Sequence, residues 1–136
     1  MAKESGVGMV LAIDDASGSA RTLSDEISSC DWANPVSIQD VTGLGQSAPE
    51  RLALIRDFTA TFNGPAFNDA SNNTHAVFKT ISSAAAVART VTITVSGQAL
   101  ADEMFLTDYA FSRAASGELT YSVPAVLADG SITGWA

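Results

Sequence analysis

His75 is the only histidine of the chain, so a Ser-His-Asp hydrolytic site would have to be built on it. No Gly-x-Ser-x-Gly elbow exists to present the nucleophile. His75 stands directly before Ala76, Val77 and Phe78, and its expected role is packing or capping of a helix. A zinc site needs three or four His, Cys or carboxylate ligands in a cluster. One histidine and one cysteine, Cys30, far apart in sequence, do not supply it.

Three other patterns resemble chemistry and have plainer readings. Gly43-Leu-Gly-Gln-Ser-Ala48 matches the dinucleotide fingerprint Gly-x-Gly-x-x-Ala. That fingerprint works only between a buried parallel strand and a helix. Here the preceding strand is polar and Pro49 follows, so a glycine loop is expected. Asp69, Asn72 and Asn73 carry oxygens suited to calcium, but lack the spacing and the closing glutamate of an EF-hand. They read as turn and cap residues, and the sequon Asn72-Asn73-Thr74 has meaning only in a secreted eukaryotic protein. The acidic pairs Asp14-Asp15 and Asp102-Glu103 are sequence neighbours. On a strand, neighbours point to opposite faces, so these read as surface charge rather than an acid/base couple. No catalytic residue, cofactor or metal is expected.

The elements that would position such groups are mostly strands. Arg89 to Ser96 gives the cleanest alternation, with Val91, Ile93 and Val95 between Thr90, Thr92, Thr94 and Ser96. Leu52 to Asn63 reads as one strand, with Phe58, Ala60 and Phe62 on its inner side. Asn63, Gly64 and Pro65 end it, with Gly64 expected to take unusual backbone angles. One short helix follows, with Ala76, Val77 and Ile81 on one face and Asn or Ser residues available as N-caps. Leu100 to Phe111 is apolar on both sides, which predicts burial on both sides. Glu118 to Val126 pairs back, with Leu119, Tyr121 and Val123 inward.

Shorter signals fill the rest. Met9 to Ile13 is a strand closed by a turn through Asp14, Asp15, Ser17 and Gly18. Thr22-Leu-Ser-Asp25 has capping-box spacing, and the stretch to Cys30 fits either a helical turn or extended chain. Val36, Ile38 and Val41 suggest another strand. Residues 1–8 are expected to be a mobile arm, and Ser82 to Ala88 a small-residue link. Thr42 to Arg51 has few apolar anchors and reads as a long loop; loops of that length in compact domains usually carry function or are disordered. Many short strands with one helix predict a mainly β fold, a sandwich or barrel of short antiparallel strands, as a single domain over residues 1–136.

Composition narrows the function classes. The net charge is −8 and only seven lysines and arginines are present, so tight binding to nucleic acid or to an anionic membrane is not expected. One cysteine cannot form an internal disulfide, which suits a reducing compartment. No signal peptide and no membrane-length apolar run is visible. Charged residues make up 16% of the chain, below the usual quarter, with Ser, Thr and Ala in their place. That composition suits strands whose outer faces meet something other than bulk water.

Several of these blocks, in this order, resemble a known family. Asp40-Val-Thr-Gly-Leu-Gly45, then Arg51 to Gly64, then His75-Ala-Val-Phe78, is similar to the major tail tube proteins of long-tailed, non-contractile bacteriophages and of related gene-transfer-agent tails. So are Arg89 to Gly97, Asp108 to Val123, Asp129-Gly130 and Trp135. The likeness runs from about Asp40 to the end and consists of weak local patterns in a fixed order. It implies a β-sandwich or barrel flanked by one helix, whose copies form hexameric rings. The rings would stack into a hollow tube through which DNA leaves the capsid without specific binding. The implied partners are further copies of the chain and the tail terminator, tape-measure and baseplate or tip proteins. The implied location is the virion tail, assembled in the host bacterial cytoplasm.

The resemblance gives the long loop a job, namely reaching a neighbouring subunit. The candidates are Thr42, Gly43, Leu44, Gly45, Gln46, Ser47, Pro49 and Arg51. A lumen that passes DNA should carry carboxylates and hydroxyls rather than Lys or Arg, which would grip phosphates. Asp57, Asp102 and Glu118, taken as outward-facing, are the lumen candidates. Alternatives are another virion β-protein, such as a head–tail terminator or decoration protein, a ligand-binding β-sandwich module, and a small hydrolase.

Overall fold

A computed structural model of the chain describes residues 5–83 and 87–135. The first part of the N-terminal arm and the middle of the Ser82–Ala88 link lie outside the described residues. Among the described residues ten strands and one helix follow one another: β1 (Val10–Asp14), β2 (Ala20–Thr22), β3 (Ser29–Ala33), β4 (Val36–Asp40), β5 (Arg51–Arg56), β6 (Thr59–Gly64), α1 (Thr74–Phe78), β7 (Arg89–Val95), β8 (Gln98–Leu106), β9 (Ala110–Arg113) and β10 (Leu119–Leu127). The fold is mainly β and antiparallel throughout, as the alternation predicts.

Eight strands form one sheet: seven run in the order β2-β1-β7-β8-β10-β6-β3, and β9 also pairs with β10. β1, β6, β7, β8 and β10 contribute alternate residues to a shared apolar core, and β3 packs Cys30 and Trp32 against it. Ile13, Phe62, Ile93, Met104 and Val123 are fully buried, and α1 adds Val77 and Phe78. The threonines between the valines of β7 stay half-exposed. β7 and β8 are joined through Ser96 and Gly97, both with positive φ (50° and 79°). Two left-handed residues in succession make the mirror-image turn whose twist suits a hairpin.

The capping-box region is a plain turn followed by extended chain, with no helical residue. Ser24 to Glu26 form a turn closed by Glu26 N–H to Leu23 O at 3.0 Å, and Cys30 lies in extended β3. Asn73 is the N-cap of α1, its side chain accepting from Thr74 N–H at 2.8 Å.

Six readings need correction. The run Leu52 to Asn63 is two strands, β5 and β6, separated at Asp57 and Phe58, because β5 leaves the main sheet to pair only with β4. The run Leu100 to Phe111 is also two strands. Its break at residues 107–109 lies against Pro124, whose carbonyl accepts Thr107 N–H at 3.0 Å. Carbonyl and N–H of one strand residue point the same way, so the donor that proline lacks is missing on this edge. The outer side of that run is not buried either, since Phe105 and Tyr109 are half-buried and Phe111 is exposed. The helix buries Val77 and Phe78, leaves Ala76 half-buried and ends before Ile81, which is buried in the turn that follows, and Leu119 is half-buried rather than inward. Gly64 has no positive φ; a Cβ there would lie 2.0 Å from the Tyr121 ring.

Candidate assembly surfaces

β4 and β5 make a two-stranded ribbon of their own, rooted where Asp57 N–H meets Pro35 O at 2.9 Å. Its cross-strand pairs are Asp40 with Arg51, Gln39 with Leu52 and Ile38 with Ala53, with a bulge before Val36 and Arg56. Paired residues share a face. Ile38 and Ala53 lie on one side, Leu52 on the other, and every residue of both strands is exposed. An isolated two-stranded hairpin is marginal in water, and Leu52-Ala-Leu-Ile55 is a core-like pattern left exposed.

The predicted long loop is the tip of this ribbon, and it is ordered by its own side chains. Asp40 Oδ1 accepts from Thr42 N–H at 2.9 Å and from Thr42 Oγ1 at 2.6 Å. These bonds hold the Asp40 carboxyl below the usual carboxylate range. Thr42 Oγ1 accepts Glu50 N–H at 2.8 Å, and Gln46 Nε2 donates to Glu50 Oε2 at 2.6 Å. Gln46 also accepts from Gly43 N–H through its side-chain carbonyl. Leu44 projects wholly into solvent, beside Gly43, Gly45, Ser47 and Pro49. Gly43 to Ala48 is thus a knitted ribbon tip between antiparallel strands, with neither the parallel strand nor the helix that a dinucleotide site uses.

The three lumen candidates part company. Asp57 is exposed at the ribbon root, its carboxylate accepting Phe58 N–H at 2.8 Å. Glu118 is exposed in the β9–β10 turn, where its carbonyl accepts Ala114 N–H at 2.8 Å. Asp102 is only 5% exposed. It falls in phase with Leu100, Met104 and Leu106 on the inner face of β8, so it is not the outward group the sequence reading took it for.

His75 lies among aromatic rings. Its Nδ1 is 3.2 Å from the Tyr109 hydroxyl, and its ring centroid is 4.3 Å from that of Phe67. Phe67 and Phe111 face partly outward from this cluster, while Phe78 and Tyr121 close its inner side. Burial, and then the nearby Tyr121, push the Tyr109 phenol up to about 12. Cys30 has its thiol pushed up to about 12 by burial, with Asp31 adding to the effect. Such a thiol is a poor nucleophile at neutral pH. Among the described residues no three His, Cys, Asp or Glu side chains come together as metal ligands, and no helix is long and apolar enough to cross a membrane.

The inward cation is the feature the sequence reading passed over. Arg89 is 1% exposed. Its guanidinium donates to Val77 O and to Thr80 Oγ1, each at 2.8 Å, and so caps the C-terminal end of α1 from the sheet. Burial lowers its pKa, and Asp15 and Asp14 act against that. Its position two residues before Val91 was the available signal, because alternation puts both on one face.

The whole arrangement can be set against solved structures. One chain in the virion of a native gene transfer agent particle superposes with a TM-score of 0.76 at 16% identity, covering 97% of this chain and 100% of that one. A chain in the tail of an empty gene transfer agent particle, refined with C6 symmetry, gives 0.76 at 18% identity with the same coverage. This chain has the fold of a gene-transfer-agent tail protein. The fold is the one that the resemblance implies, matched nearly end to end. No family model and no curated protein matches the sequence.

Proposed function

We propose that this chain is a structural tail protein. Copies of it assemble into hexameric rings, and the rings stack into a hollow tube for DNA passage. The observation that carries this reading is the ribbon, β4 and β5, apolar on both faces and without a partner in the monomer. The likeness to a protein of a C6-symmetric tail supports the ring size. Ring contacts join unlike patches, so a projecting arm that meets a different surface of the next copy would suit a closed ring. The ribbon with its tip, Thr42 to Arg51, is the inter-subunit arm. The domain takes its place in the virion tail after assembly in the host cytoplasm, between terminator, tape-measure and tip proteins. Its role is structural and not catalytic.

Negative-stain microscopy of concentrated protein tests this, with rings or tubes as the expected result. Deleting residues 43–48, or replacing Leu52 and Ile55 by Asp, should leave a folded monomer and abolish polymers. Each surface change should move monomer stability by less than about 0.5 kcal/mol. Normal tubes from the deleted protein would remove the arm from this reading, and a monomer at every concentration and with every seed would remove the tube.

A further inference from the structure

After β10 the chain runs back over the inner face of β8. Ala128 N–H donates to Glu103 O at 3.0 Å, and Thr133 N–H donates to Asp102 Oδ1 at 2.7 Å. Between them the segment folds on itself: Gly130 has φ 75°, and Asp129 Oδ1 accepts Ser131 N–H at 3.1 Å. Ile132 is half-buried and Trp135 about half exposed. Among the described residues, the distal part of the segment is tied to the sheet by that one bond to a buried carboxylate.

The other oxygen of that carboxylate, Oδ2, is buried with no hydrogen-bond partner. The groups around it give an anion little support. Across the ladder on β7 stands Val91. Arg89 shares that face, but its guanidinium is committed to Val77 and Thr80. On β10 the neighbour is Leu127, which pairs with Met104. Glu103 lies on the opposite face of β8, bonded to Thr90. The segment itself brings Asp129, a second negative charge. Closing the segment over Asp102 therefore supplies one N–H, and also removes water and adds a like charge. An unsatisfied charged oxygen costs more than one charge-assisted bond returns.

We propose that Asp102 is a proton-operated lock on the C-terminal segment, residues 128–135: protonated, it holds the segment shut, and ionised, it favours opening. The direction follows from linkage. If closure raises the carboxyl's affinity for a proton, protonation must favour closure to the same extent. Burial does hold the Asp102 pKa above its ordinary value; the Thr133 bond acts against it, and Asp129 adds a smaller push upward. At neutral pH the closed segment sits over an anion it cannot satisfy. It is poised to be displaced by a group that can, such as a basic side chain.

The test is the opening of the segment in the full-length chain, kept dilute, between pH 4 and 8. The readouts are Thr133 amide exchange, corrected for intrinsic rate, and acrylamide quenching of Trp135 in a Trp32→Phe background. Opening should rise with pH, by about tenfold for each unit by which closure raises the carboxyl's pKa. Asp102→Asn, neutral and of the same shape, should stay shut at all pH values and flatten the profile. Asp129→Asn should keep the profile but reduce opening at pH 7. Tightening as pH rises, a flat wild-type profile, or an unchanged profile in Asp102→Asn would each overturn the proposal.

Discussion

Tyr121 lies directly across the β6–β10 ladder from Gly64, and its ring occupies the space where a Cβ of residue 64 would be. From there its hydroxyl reaches Glu26 O at 2.9 Å, tying the turn before β3 to the centre of the sheet. Glycine is needed here for close approach and not for its backbone angles, since Gly64 does not have a positive φ.

Gly64→Ala should therefore destabilise the monomer by about 1–3 kcal/mol, through overpacking against the ring. In a Tyr121→Leu background the same change should cost clearly less, because the obstructing ring is gone. Urea unfolding of the four proteins of this cycle gives the coupling. Additive costs would mean that the ring is not what Gly64 accommodates.

Arg89 predicts a different pattern. Arg89→Ala opens a cavity and leaves Val77 O without its donor, and should cost about 2–5 kcal/mol. Arg89→Met fills most of the volume and removes a buried charge, so it should cost less than the alanine change. Thermal melts at fixed pH order the two. A methionine variant as unstable as the alanine variant would assign the effect to the lost hydrogen bonds.

Asp15 sets a pH dependence. Its carboxylate accepts from Ser17 N–H at 3.0 Å, Ser17 Oγ at 2.6 Å, Ser19 N–H at 3.0 Å and Arg21 Nε at 3.1 Å. These bonds, led by that from the Ser17 hydroxyl, hold its pKa well below the usual carboxylate range. A lowered folded-state pKa contributes stability above the unfolded value, near 4, and that stability fades as pH falls through the folded value. Asp15→Asn should lower Tm at pH 7, and the gap from wild type should narrow below pH 4. A gap that is constant with pH would show that charge plays no part in holding this turn.

The two exposed lumen candidates are tested by charge reversal. If Asp57 or Glu118 lines the tube, its Lys variant should assemble normally yet slow DNA ejection, because lysines hold phosphates by releasing counterions. Added salt should relieve the defect. If both variants eject at the wild-type rate, neither carboxylate faces the DNA. Asp102→Lys is no test of a lumen, because it would bury an unpaired ammonium.

Strand identity and face were written in the sequence. The alternation of Val91, Ile93 and Val95, and of Phe58, Ala60 and Phe62, predicts which side of each strand is buried, because strand periodicity is a local property. The same parity, applied to polar residues, points Arg89 and Asp102 inward. Parity and polarity conflict at these two positions, because a charge ordinarily faces solvent. What closes around those charges is non-local: Val77 of α1 and Thr80 of the turn after it for one, Thr133 from the far end of the chain for the other. The strand breaks were likewise decided in three dimensions. Leu52 to Asn63 is continuous by pattern and splits only because β5 pairs with β4 alone. Leu100 to Phe111 splits where Pro124 comes alongside. Apolar residues in sequence say only that a surface must be covered. The tertiary structure decides whether the chain itself supplies the cover, as for β7, or leaves the surface exposed, as for the ribbon, because burial depends on which segments the fold brings together.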